Sequence, residues 1–285
     1  MVGSQTLEIG NQQRHQFLLS HFLISPLTRS VDQSTALPPT RRVLGIEFFH
    51  GTVEEAVAWI THNGGLVVAP AGPALVKLRY DEGYRRAVVE ADLAIADSGW
   101  MVLLWLVLRG RRLNRVSGLK YLECLVAQIF TDKNETALWI LPSESARTKA
   151  RDWLERNHVR LDGDELYVAP VYGITVEDTQ LVELVSRRRP KHIIVGIGGG
   201  TQEKLGLYLR EQSGYRPAIH CIGAALGFLT GDQPPIPDLA DKFYLGWLLR
   251  LLREPRAFLP RYLSIRELPG MMLRYGENLP PLVRR

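Results

Sequence analysis

Two stretches of this sequence carry residue types that could do chemistry. Residues 90–99 read EADLAIADSG, in which small apolar residues lead from Asp92 to Asp97 and a Ser-Gly pair follows. A carboxylate delivered at the end of a buried strand can take a proton from a hydroxyl nucleophile. The same carboxylate can cap the helix that follows, because Asp, Asn, Ser and Thr satisfy the orphan amides of a first turn. On the residues alone both roles stand.

Residues 195–204 read VGIGGGTQEK. Gly198, Gly199 and Gly200 follow an apolar run and lead into a helical pattern, where backbone N–H groups can approach a phosphate. A dinucleotide fingerprint needs a glycine where Thr201 stands, which disfavours a nicotinamide oxidoreductase. A Walker loop needs Gly-Lys before Ser or Thr, which is absent here. The plain alternative is a strand-to-helix turn with Thr201 as cap. Gln202 and Glu203 come next. Glu is favourable near a helix amino terminus. Gln has no such electrostatic reason to be there, and an amide that both donates and accepts suits the edge of a sugar or a base.

A third feature is basic. In DKFYLGWLLRLLREP, Lys242, Gly246, Arg250 and Arg253 recur at helical spacing and share one face, apart from Trp247, Leu248, Leu251 and Leu252. That line suits an anionic group, or is a solvated face. Residues 240–285 hold nine basic and four acidic residues, a net +5 that equals the excess of the whole chain. Basic and aromatic residues together suit an anionic membrane or a phosphorylated ligand. No zinc-finger spacing or RNA-binding aromatic signature is present, so nucleic acid is not an expected partner.

Seven histidines lack metal-ligand spacing, and the two cysteines, Cys124 and Cys221, lie in apolar segments. No metal, cofactor or disulfide framework is expected, and the cysteine usage suits a reducing cytosol. The amino-terminal QFLLSHFLISPL is interrupted by Ser and His without a small-residue cleavage site, so a signal peptide is not expected. Apolar runs such as WMVLLWLVL at 100–108 are too short to cross a bilayer.

The elements that must position these residues are legible as alternation. Strands are predicted at 66–69, 93–96, 137–141, 165–169, 192–197 and 218–222, and helices at 53–63, 74–89, 99–109, 118–130, 144–157, 176–188 and 202–213. Continuous apolar strands between amphipathic helices predict an α/β fold, a Rossmann-like and mainly parallel sheet with helices on both faces. Such sheets bind ligands outside the carboxyl ends of their strands, where Asp97 and the glycine-rich turn both fall. Residues 1–42 read as a poorly ordered polar tail, 43–230 as the α/β domain, and 231–285, after the break DQPPIPDL, as a helical, basic appendage.

The segments ADLAIADSGWMV, NRVSGLKYLECL, VGIGGGTQEK and GFLTG, with the tail YLGWLLRLLREPRAFLPRYL, resemble the WecG/TagA/CpsF family of bacterial glycosyltransferases across about residues 43–264. The resemblance implies an inverting, metal-independent transfer of a sugar from a nucleotide donor, commonly UDP-N-acetylmannosamine. The implied acceptor is a polyprenyl-diphosphate-linked sugar at the cytoplasmic face of the plasma membrane, in cell-surface polysaccharide assembly. It further implies Asp97 as general base and Gln202 in the donor pocket, with Gly198, Gly199 and Glu203 beside it. Arg250 and Arg256 match arginines that hold the diphosphate, and Lys242 stands where an Arg is usual. Residues 240–285 are then expected to touch the membrane peripherally, and a homo-oligomer is compatible with the sequence.

Several positions depart from the family pattern. Ala69-Pro70-Ala71 stands for Thr-Pro-Asn, Lys120 for an acidic residue, Leu226-Gly227-Phe228 for aromatic-Asp-Phe, Pro234-Pro235 for a basic pair and Gly246 for a Glu. These losses motivate a second expectation, a member that binds a sugar nucleotide or a membrane partner without turnover.

Overall fold

The chain enters its sheet as a hairpin. In the computed structural model, which describes residues 39–132, 134–161, 163–223, 225–231 and 264–283, β1 (Thr40–Val43) pairs antiparallel with β2 (Ile46–Phe49). Leu44 and Gly45 form the turn at φ of 51° and 82°, the left-handed pair that a tight hairpin needs. A Cβ at Gly45 would lie 2.6 Å from the Cβ of Leu279, so glycine is required there twice over.

Strands and helices then alternate: α1 (Val53–Asn63), β3 (Gly65–Val68), α2 (Gly72–Leu75), α3 (Glu82–Val89), β4 (Leu93–Ala94) and α4 (Gly99–Arg109). Next come α5 (Gly118–Thr131), β5 (Ala137–Leu141), α6 (Glu144–Arg156), β6 (Leu166–Val168), α7 (Thr179–Arg188) and β7 (His192–Val195). The series closes with α8 (Thr201–Gln212), β8 (Ala218–Cys221), α9 (Ala225–Thr230) and α10 (Glu267–Tyr275). One sheet takes the order β1-β2-β4-β3-β8-β7-β5-β6, parallel except for the β1–β2 pair. This is the expected Rossmann-like α/β architecture.

Both faces of the sheet are covered between β3 and β8, which is why those strands are mostly apolar. Alternate residues point to opposite sides. Leu66, Val68, Ile193, Val195 and Ile219 join one core with α3, α4, α8 and α10. Val67, Leu93, Trp139, Leu141 and Ile194 join the other with α1, α5 and α6.

The expected helix at 74–89 is interrupted. α2 passes into a 3-10 turn at Val76–Arg79, and Asp81 then caps α3 by accepting the Tyr84 N–H at 2.9 Å. Likewise α7 starts at Thr179 rather than 176, because Asp178 caps it through the Leu181 N–H at 2.9 Å. In both cases a short carboxylate competes with the preceding helical pattern for backbone donors.

The expected basic helix at 239–253, with Lys242 and Arg250, lies outside the described residues, as do Arg256 and the expected tail up to residue 38, whereas residues 40–42, also expected in the tail, belong to β1. The later residues of the expected appendage belong to the core. α10 packs on α4 and buries Leu268, Met271 and Met272. The segment around it is tied to the domain by main-chain bonds: the Leu44 and Gly45 amides donate to the Gly276 and Glu277 carbonyls at 2.9 Å, and the Val283 amide donates to the Arg79 carbonyl at 2.8 Å.

Candidate active site

Asp97 directly follows Ile95 and Ala96, the apolar pair that leaves β4, and its side chain is 41% exposed. It does not cap α4. Ser98 occupies the cap position, its Oγ accepting the Met101 N–H at 3.4 Å. The Asp97 carboxylate is engaged elsewhere: Oδ1 accepts the N–H of Gly118, the first residue of α5, at 2.8 Å. The preceding Ser117 makes no side-chain cap, so Asp97 supplies the acceptor that the start of α5 otherwise lacks. Oδ2 receives no hydrogen bond from the described residues.

Arg115 completes the setting. Its Nε donates to the Asp97 carbonyl at 2.9 Å, and one terminal nitrogen lies 4.0 Å from Oδ1, with the side chain only 12% exposed. Neither Arg115 nor Gly118 stood out as a site residue in the sequence. The signal was the NRVSGLKYL segment, whose partner is 21 residues away.

The glycine-rich turn opens at the carboxyl end of β7, on the same sheet edge. Gly200 has φ of +95°, and a Cβ there would come within 2.3 Å of Lys77 Nζ. Gly198 and Gly199 differ: a Cβ at either would meet nothing within 4 Å. The space in front of the first two glycines is open, and the third is fixed by its conformation. Thr201 begins α8, but its cap position is Gly200, which has no side chain to offer.

Glu203 takes over that task. It is fully buried, and its Oε2 accepts the Gly200 N–H at 2.6 Å while Oε1 accepts from Gln202 Nε2 at 3.2 Å. Burial pushes its carboxyl up, and the bonds from its own amide, Gly200 and Gln202, together with the Lys77 charge, pull the other way. The geometry therefore makes Glu203 the internal brace of the turn. Burial, then Glu203 and then Asp81 push the Tyr84 hydroxyl upward, and that hydroxyl makes no hydrogen bond.

Gln202 is 2% exposed. Its amide nitrogen donates to Glu203 and to the Cys221 carbonyl, the latter at 3.3 Å, so both hydrogens are used and Oε1 is left as an acceptor. That oxygen is buried without a partner among the described residues, an arrangement that a donor group on a ligand would satisfy. Gln202 reaches the end of β8, and only β3 separates β8 from β4. At ~4.8 Å per strand, roughly 10 Å of edge lies between Gln202 and the strand that carries Asp97.

Of the residues that depart from the family pattern, Ala69 and Ala71 fall in that gap, while Pro234, Pro235 and Gly246 lie outside the described residues. Ala69 and Ala71 follow β3, and Gly72 beside them would place a Cβ 3.3 Å from Ser98 Oγ. Lys120 is exposed in the first turn of α5. A cavity of about 390 Å³ lined by Trp105, Arg109, Arg111, Tyr275, Glu277 and Asn278 lies at the opposite end of the sheet, near the β1–β2 turn.

An exposed carboxylate with one anchored oxygen and a glycine-rich turn share the ligand edge of one parallel sheet, the arrangement of an α/β ligand-binding domain. The sequence model of the Glycosyl transferase WecG/TagA/CpsF family matches residues 41–280. The chain belongs to that family and is a glycosyltransferase, a membership that implies cell-surface polysaccharide synthesis. No curated protein matches the sequence significantly.

Proposed function

We propose that the protein transfers an N-acetylmannosamine-like hexose from a UDP-sugar to a polyprenyl-diphosphate-linked acceptor, with inversion and without a metal. The observation that carries this reading is the state of Asp97, one oxygen held by Gly118 and the other without a hydrogen bond from the described residues, on the edge that also holds Gln202. Asp97 Oδ2 takes the proton of the acceptor hydroxyl as that oxygen forms its bond to the anomeric carbon. The bond from the anomeric carbon to the diphosphate breaks on the opposite face, and the nucleoside diphosphate leaves with the electron pair. Gly198 and Gly199 offer amides to the donor, Gln202 Oε1 accepts from it, and Lys242, Arg250 and Arg256 balance the charge of the leaving diphosphate. Work at the inner face of the plasma membrane follows from the lipid-linked acceptor and the basic segment 240–285. No described helix is long and apolar enough to cross a membrane.

Replacing Asp97 with Asn tests the reading. Sugar transfer from UDP-sugars to a lipid-diphosphate acceptor should fall by about 10²–10⁴, the usual contribution of a general base. Transfer at the parental rate removes Asp97 from the chemistry.

Ala69 and Ala71 favour a second reading, a protein that binds sugar nucleotide without turnover, because two polar groups are missing from the middle of the site edge. Calorimetric binding of UDP-sugars with no transfer across a broad donor panel supports it; transfer from any donor ends it.

A further inference from the structure

Four polar side chains form an unbroken file through the core on the α5 face of the sheet. The Tyr121 hydroxyl meets His220 Nδ1 at 2.8 Å, His220 Nε2 meets His192 Nδ1 at 3.1 Å, and His192 Nε2 meets Glu135 Oε2 at 2.6 Å. Lys191 Nζ closes the file at the surface, 2.5 Å from Glu135 Oε1. Tyr121, His192 and His220 are fully buried.

The charged end sets the direction of every proton. Ionised Glu135 only accepts, so His192 Nε2 carries hydrogen and its Nδ1 accepts. His220 Nε2 therefore donates, and its Nδ1 is left to accept from the Tyr121 hydroxyl. Both imidazoles are neutral, in keeping with burial, which lowers the proton affinity of each. A file of this kind is costly unless all its members are satisfied, and here each one has a partner.

The file ends one turn from the candidate site. Tyr121 is three residues beyond Gly118, the amide that holds Asp97 Oδ1. The amino end of α5 is thus tied at two points, to the Asp97 carboxylate and, through Tyr121, to β8 and β7. We propose that Tyr121 and His220 are positioning residues that fix the start of α5 and so the orientation of the Asp97 carboxylate. This rests on Asp97 acting as the base.

The experiment combines amide-resolved hydrogen exchange with steady-state transfer kinetics on the full chain. Tyr121→Phe keeps the ring and removes the hydroxyl. Gly118 exchange should rise and kcat should fall, each about tenfold for one lost hydrogen bond, with the donor KM unchanged. His220→Asn keeps an acceptor near the place of Nδ1 and should remain close to the parent in both readouts, whereas His220→Leu should match Tyr121→Phe. If Tyr121→Phe does not fold, the His220 pair gives the same comparison. Unchanged Gly118 exchange in Tyr121→Phe and His220→Leu overturns the proposal, as does a lower thermal midpoint with unaltered kcat. If Asp97→Asn transfers sugar normally, the base reading fails, while the exchange data still decide whether the file holds α5.

Discussion

The Gly118 amide and the Asp97 carboxylate meet at 2.8 Å across 21 residues of sequence, so the start of α5 and the end of β4 are fixed by one hydrogen bond. Its charged acceptor makes the bond worth about 1.5–3 kcal/mol.

Gly118→Pro should remove that bond and leave the helix intact. Proline suits the first helical position, where its missing N–H breaks no intrahelical bond, and Ser117 already has the extended conformation that a following proline requires (φ −64°, ψ 126°). The thermal midpoint should fall by several degrees, in keeping with one lost bond of that strength, while kcat falls roughly ten- to hundredfold. Gly118→Ala keeps the amide, and its Cβ would sit 3.5 Å from Asp97 Cγ, an ordinary contact, so its kcat should stay near the parent. Equal losses in the two variants would assign the effect to side-chain bulk.

The three glycines of the turn should separate by phenotype. Gly200→Ala forces an alanine to φ of +95° and displaces Lys77 Nζ, at a cost of about 1–3 kcal/mol of stability. Gly198→Ala and Gly199→Ala meet open space, so chemical denaturation should find them as stable as the parent, with a raised KM for the donor.

Acidification should destabilise the fold through the buried histidines. Their folded-state proton affinity lies below the ordinary value of 6.5, so the unfolded chain binds more protons as pH drops through that value. Their stabilisation is present above 6.5 and lost as pH falls through the lowered folded values. Glu135 adds to this below 4.5: burial raises its carboxyl, but the bonds and charges of Lys191 and His192 outweigh that and lower it. Tyr121 and Lys191 are the other titratable groups of the file. Glu203 has the opposite sign, because its raised carboxyl favours the fold at low pH. Urea midpoints should fall from about pH 8 to about pH 5, roughly the span of histidine titration, and by less in His220→Asn. An equal fall in both proteins would exclude His220.

Arg250→Ala combined with Arg256→Ala should weaken co-sedimentation with anionic phosphatidylglycerol vesicles, and added salt should weaken it in the parent. Truncation after Gly231 cannot serve as this test. It would remove Leu268, Met271 and Met272, each at most 3% exposed, and with them part of the core. Binding that survives both the double substitution and high salt would point to apolar insertion in place of charge attraction.

What the sequence made legible follows from distance along the chain. The strands from β3 to β8 show as apolar runs because each is buried on both faces. β1, reading TRRV with three exposed residues, carries no such mark. Asp97 was recognisable as a carboxylate at a strand end, but whether it capped α4 was decided by Ser98 next to it and Gly118 far from it. The file from Tyr121 to Glu135 joins residues 99, 28 and 57 positions apart, spacings that no local pattern records. The preference of helix starts for acids already gave Glu203 a structural reason beside the pocket role expected of it, but its bond to the Gly200 amide shows only once burial and the turn are known.

The backbone bonds from Leu44 and Gly45 to Gly276 and Glu277 also govern when the domain can finish folding. On the ribosome the hairpin emerges first, and its turn must wait for partners more than two hundred residues later in the sequence. Until the last turn of α10 leaves the exit tunnel, one edge of the sheet and the apolar side of α4 stay exposed to whatever is nearby. Pairing of such high contact order is slow, and exposed strand edges invite misassembly. A chain arrested shortly before residue 276 should therefore depend on chaperones more than one arrested beyond residue 283.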